Sequence, residues 1–474
     1  MKHFLKNGAV VFAALKTTVF KAAAQKTIVG SFCFYCSVLI VSATSANAQT
    51  LPDFLNIALD ENPMILAAKE DLTAAEEEIV QARAAYLPQL FGDGQFGVTR
   101  STSTSGQPSS TTEPFQIGVS ATLPLYQGGG LKAGKDQAKA FSSQISENYR
   151  STIQQVYTEI ADAYYGYLLY DTLIETRKTS LDYLSTLENV NEQRLSAGNA
   201  TRVDLALIQN RLAATRASLF EARASREVQQ KRLVAATGMT IETATPFSPA
   251  FLLPPSAELS KEIADQENPD LLSARLAVDV AKAGTRSARS QRRPNIGLSA
   301  SANQSGIATN FNDRASSFQV GVTLTIPIST GGALKSAVRQ ARHQASAANH
   351  RSQNALRTVR QRIDSGWLLL EANRQRLISG EVAVEAAMIG LEGLRRDNHA
   401  GFADILDVLR AQEDLNDAQE NLAQFKFALR NTETLLLRDV GILDRLAFEV
   451  GSLSNNTYED LNDQLNDQQG VRKR

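Results

Sequence analysis

The chain has 474 residues, of which 43% are hydrophobic and 21% charged, a composition typical of folded proteins and not of disordered chains or bundles of membrane-spanning helices. Its formal net charge is -1, and no cluster of basic residues interleaved with aromatic ones occurs, which argues against nucleic acid as a partner. The informative features are therefore those of arrangement along the chain.

The first 48 residues have the pattern of an export signal. Five lysines and no acidic residue flank an apolar run at 28–41, which is too short for a comfortable transmembrane helix, and a small-residue cleavage site ends at Ala48. The two cysteines, Cys33 and Cys36, lie inside this run, so the motif they form is interpreted as a coincidence of composition. The mature chain is expected to contain no cysteine.

The remaining sequence contains an internal duplication. The motif Glu-Asn-Pro at 61–63 recurs at 267–269, and the Gly-Gly pair at 128–129 recurs at 331–332. The motifs keep the same order in both copies. We predict a first structural repeat at 49–256, including a connecting segment, a second repeat at 257–450 and a polar flexible tail at 451–474.

Each repeat alternates between helical and strand-like segments. Stretches rich in Ala, Glu, Gln and Leu, without internal proline, predict helices at about 62–88, 131–195, 202–237, 270–292, 334–398 and 404–438. A helix of some 65 residues spans roughly 100 Å, so the long helices must pack side by side. The shorter helices, stacked end to end in pairs, match that length and predict an antiparallel bundle.

Between the first two helices of each repeat lies a predicted β-hairpin. Residues 115–125 and 318–326 alternate strictly between apolar and small polar side chains, as do 296–303. Strands of 10 to 12 residues suit a tilted crossing of a bilayer, with apolar faces toward lipid. Four strands cannot close a barrel, and open edges are not tolerated in hydrocarbon, so several chains must share one barrel.

The ordered and doubled motifs resemble those of the TolC family of outer-membrane efflux and type I secretion proteins. The similarity rests on the Glu-Asn-Pro motifs, on Leu-Pro-Leu-Tyr-Gln-Gly-Gly at 123–129, on Ile-Pro-Ile-Ser-Thr-Gly-Gly at 326–332, and on a Gly-x5-Asp spacing that occurs twice. It covers essentially the whole mature chain. It implies an α+β fold in which four strands per chain join a transmembrane β-barrel shared by a homotrimer, continuous with a long periplasmic α-helical barrel.

The same resemblance implies location in the outer-membrane lipid and passive conduction of substrates. The implied partners are a periplasmic adaptor, or membrane fusion, protein and an inner-membrane transporter of the ABC, RND or MFS type. Two alternatives are a periplasmic adaptor and a structural coiled-coil protein of the envelope. An adaptor has a single helical hairpin, and a coiled coil leaves the strands without a purpose, so both fit less well than a channel.

No catalytic, cofactor or metal site is predicted. His343 and His350 are seven residues apart on a predicted helix but lack carboxylates at ligand spacing, so we expect them on the helix surface. No serine or cysteine nucleophile with a positioned base can be assembled from the sequence. We therefore expect a protein that is not an enzyme.

The candidate functional residues follow two sharp turns. Gly198 and Gly401 each precede an aspartate, Asp204 or Asp407, by six residues. The resemblance implies that aspartates at this place line the constricted periplasmic end of the tunnel, where symmetry repeats them as an acidic ring. Gly198 and Gly401 are the turn and hinge candidates at this end, together with Gly128, Gly129, Gly331 and Gly332 after the hairpins.

Helix capping is a compatible alternative role for both aspartates. Thr201 with Asp204, and Asp404 with Asp407, have the spacing of a capping box, in which two side chains satisfy free backbone amides.

The gate latch departs from the family pattern. Some family members close the gate with an arginine and a tyrosine, whereas the corresponding positions here hold Ala403 and Asn398. A second acidic position holds Arg410. We therefore expect a different latch, in which Arg410 or Arg202 pairs with the aspartates at the two turns.

Overall fold

A computed structural model describes residues 50–101, 110–241, 253–308 and 310–443. The predicted export signal and the polar tail lie outside these residues, as does most of the predicted connection between the repeats. No helix within the described ranges is both long and apolar enough to cross a membrane.

The first repeat contains four helices and four strands. In chain order these are α1 (Leu51–Glu61), α2 (Pro63–Ala84), β1 (Gln89–Phe96), β2 (Thr99–Ser101), β3 (Ser110–Thr112), β4 (Pro114–Gln127), α3 (Gly130–Ser196) and α4 (Arg202–Thr237). The second repeat follows the same plan: α5 (Ala257–Glu267), α6 (Pro269–Ser290), β5 (Asn295–Ile307), β6 (Asn310–Thr325), α7 (Ala333–His399) and α8 (Ile405–Val440).

The six helices predicted from composition are confirmed, most of them to within a few residues at each end. The short helices α1 and α5 were not predicted as separate elements. Each has only 11 residues and ends at the asparagine before a proline. Helix α1 buries Leu51, Phe54, Leu55 and Ala58, which share one face at helical spacing.

The predicted strands form an antiparallel sheet in the order β1-β4-β5-β6, and the short pair β2 and β3 extends the first hairpin. The two hairpins pair through β4 and β5, with Val119 opposite Ala302 and Leu123 opposite Leu298. The outer strands β1 and β6 are hydrogen-bonded on one side only within the described chain. The sheet therefore ends in two open edges.

The helices form a row that keeps the order of the repeats. On the side near the sheet, α2 packs on α3, α3 on α6, and α6 on α7. On the opposite side, α4 packs on α3, α3 on α8, and α8 on α7. Helices α3 and α7, of 67 residues each, run through both halves, and at 1.5 Å per residue each spans about 100 Å.

The Glu-Asn-Pro motifs connect the stacked short helices. The Asn62 carboxamide oxygen accepts hydrogen bonds from the amides of Met64 (2.9 Å) and Ile65 (3.3 Å), which caps α2, and its Nδ2 donates to the carbonyl of Ala236 near the end of α4 (2.8 Å). Asn268 repeats this arrangement, capping α6 at Leu271 (2.9 Å) and donating to Asp439 of α8 (2.9 Å). One side chain thus caps the start of one short helix and hydrogen-bonds the end of the short helix stacked on it.

The largest buried apolar cluster surrounds these two junctions. Phe54 packs against the ring of Tyr164 with centroids 6.0 Å apart, and Ile363 and Leu437 from the second repeat are also fully buried there. Trp367, the counterpart of Tyr164 in the second repeat, packs on this cluster and donates from Nε1 to Ser260 Oγ (3.0 Å). Both aromatic side chains therefore fill the interface between the helices.

The capping geometry predicts the effect of replacing the junction asparagines. Asn62→Ala and Asn268→Ala should each lower the free energy of unfolding by about 1 to 2 kcal/mol, because a helix cap and a partly buried hydrogen bond to the end of α4 or α8 are both lost. Thermal unfolding of the purified protein followed by circular dichroism measures this. Asn199→Ala, at an exposed turn, is the matched control; an equal effect of all three substitutions would contradict the junction role.

Candidate functional site

The two turns between paired helices are built alike. Gly198 has φ of 80° and Gly401 has φ of 81°, a left-handed conformation that favours glycine. The amide of Asn199 donates to Arg194 (2.8 Å) and that of Phe402 to Asp397 (2.8 Å), so each long helix ends with carbonyls satisfied across the turn. These contacts set the start of α4 and of α8.

Asp204 caps helix α4. The Thr201 amide donates to Asp204 Oδ2 (2.8 Å), and the Asp204 amide donates to Thr201 Oγ1 (3.1 Å), which completes the predicted capping box. The carboxylate also lies at the positive end of the helix dipole, where a negative charge is stabilised.

Helix α8 begins differently, and the second predicted capping box is wrong. Asp404 accepts a hydrogen bond at Oδ1 from the amide of Ile405 (2.6 Å), while Asp407 makes no such return contact. Asp407 lies instead 3.8 Å from Arg410, one turn further on, and both side chains are about half exposed or more. A pair this open contributes little to stability, and the Asp407 side chain lies near solvent.

The predicted latch is only partly assembled in this structure. Arg410 reaches Asp407, but Arg202 forms no ion pair with any residue of the described ranges. Two exposed apolar side chains accompany these residues: Phe402 at the turn is 87% exposed, and Val203 at the start of α4 is 66% exposed. Sequence reasoning did not identify them, because an isolated apolar residue in a turn has no periodicity.

Stronger polar contacts join the two repeats above the turns. Arg177 of α3 forms a bidentate ion pair with Glu420 of α8 (2.7 and 3.0 Å) and also donates to the carbonyl of Ser218 in α4. Arg211 of α4 pairs with Glu413 of α8. We call these two ion pairs the inter-repeat clamp. Bidentate arginine and carboxylate pairs are geometrically selective, so the clamp sets the position of α8 beside α3 and α4.

The clamp surrounds a polar cavity of about 260 Å³ between α3, α4 and α8. Partial burial raises the pKa of Asp417, on its wall, above the ordinary carboxyl value. The carboxylates of Glu413, Glu420 and Asp414 raise it further, and only Arg211 opposes them. Negative charge is therefore crowded on this side of α8.

The clamp was not predicted from the sequence, although a signal was present. Glu413 and Glu420 are seven residues apart on α8, at positions facing the packed row, where a leucine is the ordinary choice. Recognising them required the positions of Arg177 and Arg211, which are more than 200 residues away in sequence.

The glycines after the hairpins lie at the other end of the long helices. Gly128 and Gly129 have φ of 62° and 90°, and Gly331 and Gly332 have φ of 59° and 88°. A Cβ atom at Gly128 would lie 2.6 Å from both the Arg293 Cβ and the Ser290 carbonyl oxygen, whereas the second pair has open space around it. The first turn is consequently packed between the repeats and the second is not.

The sheet exposes apolar side chains along its strands, including Leu90, Phe96, Val119, Phe318 and Val322. Polar and small residues alternate with them. No group of three or more His, Cys, Asp or Glu side chains that could hold a metal ion comes together within the described parts of the chain. His343 and His350 are both exposed, as expected.

Comparison with known proteins identifies the family to which this architecture belongs. Residues 54–239 and 262–441 match the family described as outer membrane efflux protein. The alkaline protease secretion protein AprF of Pseudomonas aeruginosa is 26% identical over 431 residues, covering 87% of this chain and 88% of that protein. The outer membrane efflux protein BepC of Brucella suis biovar 1 is also 26% identical, over 92% of this chain and 94% of that one.

Solved structures agree in fold. The crystal structure of the Campylobacter jejuni CmeC outer membrane channel superposes with a TM-score of 0.74 at 15% identity, covering 86% of this chain and 88% of that one. The predicted α+β class, with a strand part continuous with a long helical part, is confirmed by this similarity.

The crowding around Asp417 predicts a pH effect on stability. Because the pKa of this carboxyl is raised in the folded state, its ionisation destabilises the fold; the penalty is absent below the ordinary pKa of about 3.9 and complete above the raised one. Asp417→Asn should therefore stabilise the protein at pH 7, by about 0.5 kcal/mol or less since the side chain is partly exposed, and not at pH 3.5.

Thermal unfolding at several pH values measures the difference between Asp417→Asn and the original chain. The same substitution at Asp182, an exposed position of α3 outside the cluster, is the control. A stabilisation that grows as the pH falls would contradict the assignment.

Proposed function

Because the chain belongs to the outer membrane efflux protein family, a family of transport channels and not of enzymes, we propose that three copies of it form one continuous conduit with a gate at the α3–α4 and α7–α8 turns. The protein is an outer-membrane channel subunit for efflux or type I secretion, with a long periplasmic extension. The proposal concerns the stoichiometry, the gate and the partners.

The proposal rests on one observation: the strands of the sheet and the helices of the row follow each other in the same order from one side of the chain to the other. The sheet has open edges at β1 and β6, and the helical row ends at α2 and α4 on one side and at α7 on the other. Unpaired backbone groups cost several kcal/mol each in hydrocarbon, so the edges must be joined to further copies. Joining the sheets in a ring places the ends of the helical rows side by side as well.

Three copies supply twelve strands and a ring of twelve helices at each level. With helix axes about 10 Å apart, such a ring is roughly 40 Å across between axes, which leaves a passage of about 30 Å. Two copies would leave a passage about half as wide, roughly 15 Å, which is little more than the diameter of one helix with its side chains, about 10–12 Å. A trimer therefore accommodates the substrates of an efflux or secretion channel.

The gate is proposed at the periplasmic turns. Asp407 and Asp204 supply a negative charge at the start of α8 and α4, and threefold repetition makes each an acidic ring. Of the two carboxylates, that of Asp204 is held in a capping box, whereas that of Asp407 accepts no capping hydrogen bond. Gly198 and Gly401 are the proposed hinges about which α4 and α8 move away from the long helices, and the inter-repeat clamp opposes that movement.

The proposed partners are a periplasmic adaptor protein and an inner-membrane transporter, which supplies the energy. The exposed Phe402 and Val203 at the turns provide apolar contact surface for the adaptor. Cargo passes without chemical change. A relative named for protease secretion and one named for efflux match 87% and 92% of this chain, so an unfolded protein and a small molecule are both compatible cargo classes.

The alternatives of an adaptor and a structural coiled coil have less support. Neither requires a four-stranded sheet with alternating exposed apolar side chains, and the family matched here is a channel family.

Single-channel conductance in a planar bilayer tests the acidic gate. The double variant Asp204→Asn and Asp407→Asn removes both charges, while the asparagine at 204 can still accept the Thr201 hydrogen bond. We expect cation selectivity to fall and the concentration of a trivalent cation needed for half block to rise about tenfold, the effect of roughly 1.4 kcal/mol in binding.

Asp397→Asn, at an exposed position outside the proposed rings, is the control. Unchanged block in a correctly assembled double variant would remove the acidic ring from the proposal. Absence of any conductance from the assembled original protein would contradict the conduit itself.

Releasing the clamp tests its restraint on opening. Arg177→Met removes the bidentate pair with Glu420 and should raise single-channel conductance more than Arg211→Met, because the Arg177 pair is the less exposed of the two. Arg226→Met is matched, since it breaks an ion pair to Asp171 that joins α3 and α4 within one repeat. Equal conductance in all three variants would show that the clamp does not restrain the gate.

A further inference from the structure

We propose that neighbouring copies join above the Glu-Asn-Pro junctions through two oppositely charged helix faces: an acidic face on α2 of one copy and a basic face on the first half of α7 of the next. The inference rests on the proposed assembly and adds what makes that assembly specific. It concerns residues that form no ion pair within the described parts of the chain.

The acidic face of α2 is defined by Glu70 and Glu77. They are exposed, seven residues apart, and each follows an inward-facing residue, Ile65 or Leu72, by five positions, which places it on the far side of the helix. Asp71 and Glu78 flank them. None of these four carboxylates forms an ion pair within the described chain.

The basic face of α7 is defined by Arg339, His343, His350 and Arg357. The last three are seven residues apart, and Arg339 lies one turn earlier, so all four share a side of the helix. All are exposed, whereas Val338 and Val359 on the other side are buried. Within the described ranges none of the four is ion-paired.

The duplication supplies an internal comparison. Helix α2 carries five acidic and two basic residues, a charge of -3, while its counterpart α6 carries two acidic and four basic residues, or +2. The first 31 residues of α7, 333–363, carry seven Lys or Arg, two His and no acid, or +7; the corresponding residues 130–160 of α3 carry four basic and three acidic residues, or +1.

Of these four helices, the two with the largest net charges, -3 and +7, are opposite in sign and lie at the two ends of the row. The inner helices α3 and α6, which pack on each other, carry smaller net charges. A solvated surface gives no reason for this division, whereas a contact between the two ends does, because opposite charges select one order of joining and repel like ends.

The two faces also lie at the same height. Helix α2 ends at the sheet and α7 begins there, so the two run antiparallel. Glu77 is seven residues from the sheet end of α2, about 10 Å, and Arg339 and His343 are about 9 and 15 Å from the start of α7. Glu70 lies about 21 Å down, between His343 and His350.

A second copy of this chain is the occupant that fits both faces. The open strand edges lie at the same ends of the molecule: β1 follows α2 directly, and β6 directly precedes α7. Any copy that pairs its β1 with β6 of a neighbour brings its own α2 to the neighbour's α7. A different partner protein would have to reach these faces without pairing the strand edges beside them.

A charge-swap experiment tests the inference on the detergent-purified protein. Glu70→Lys with Glu77→Lys should lower the temperature at which the assembly dissociates by about 5 °C or more and remove its dependence on salt. Arg339→Glu with His350→Glu, at the heights of Glu77 and Glu70, should do the same. Combining all four substitutions in one chain, which restores opposite charges across the seam, should recover most of the loss.

Cross-linking tests proximity without changing the overall charge pattern. Because the mature chain is expected to contain no cysteine, Glu77→Cys with Arg339→Cys should join copies through a thiol-reactive reagent about 10 Å long, the distance between packed helices. Glu76→Cys with Gln340→Cys, which lie at matching heights but on other sides of the same two helices, should not.

The outcomes separate the two proposals. An assembly that stays stable in all reversal variants and yields no cross-link from the first cysteine pair overturns the charged seam and leaves the channel proposal intact. A monomeric original protein that conducts no ions overturns both. Recovery in the fourfold variant excludes misfolding as the cause of the loss in the double variants.

Discussion

A strand at the edge of a sheet leaves half of its backbone hydrogen-bonding groups unpaired, and hydrocarbon offers no water to satisfy them. The rest of this architecture depends on that constraint. The sheet is only four strands wide, so it becomes stable in a membrane only as part of a larger ring. The helices continue the strands in the same order, so the ring of strands specifies a ring of helices below it. The helices of one chain alone would not close that ring.

The length of the helical part comes from two devices that the duplication doubles. Each long helix runs unbroken for 67 residues. Beside it, two short helices are stacked end to end, and one asparagine caps the first and hydrogen-bonds the last turn of the second. The largest buried apolar cluster of the described chain lies at the level of these two junctions.

Duplication also shows where the two copies had to differ. Arg177, which joins α3 to Glu420, corresponds to Gly380 in the second repeat, where a Cβ atom would lie 2.9 Å from Phe425. Glu420 itself corresponds to Ala217. The clamp thus exists once per chain, between the repeats, and the charged faces of α2 and α7 likewise occur at one end each. Asymmetry of this kind turns a symmetric duplication into a unit with two distinguishable ends.

The sequence by itself determined the six longer helices and the two hairpins, because periodicity and the absence of proline act within a few residues of chain. The 11-residue helices α1 and α5 were too short to be predicted as separate elements. It also located the two turns and the capping box of Asp204, whose partner Thr201 is three residues away. It did not determine the open start of α8 or the clamp of Arg177 and Glu420. Those depend on side chains that are distant in sequence, and only tertiary packing decides which of many exposed charges come within bonding distance.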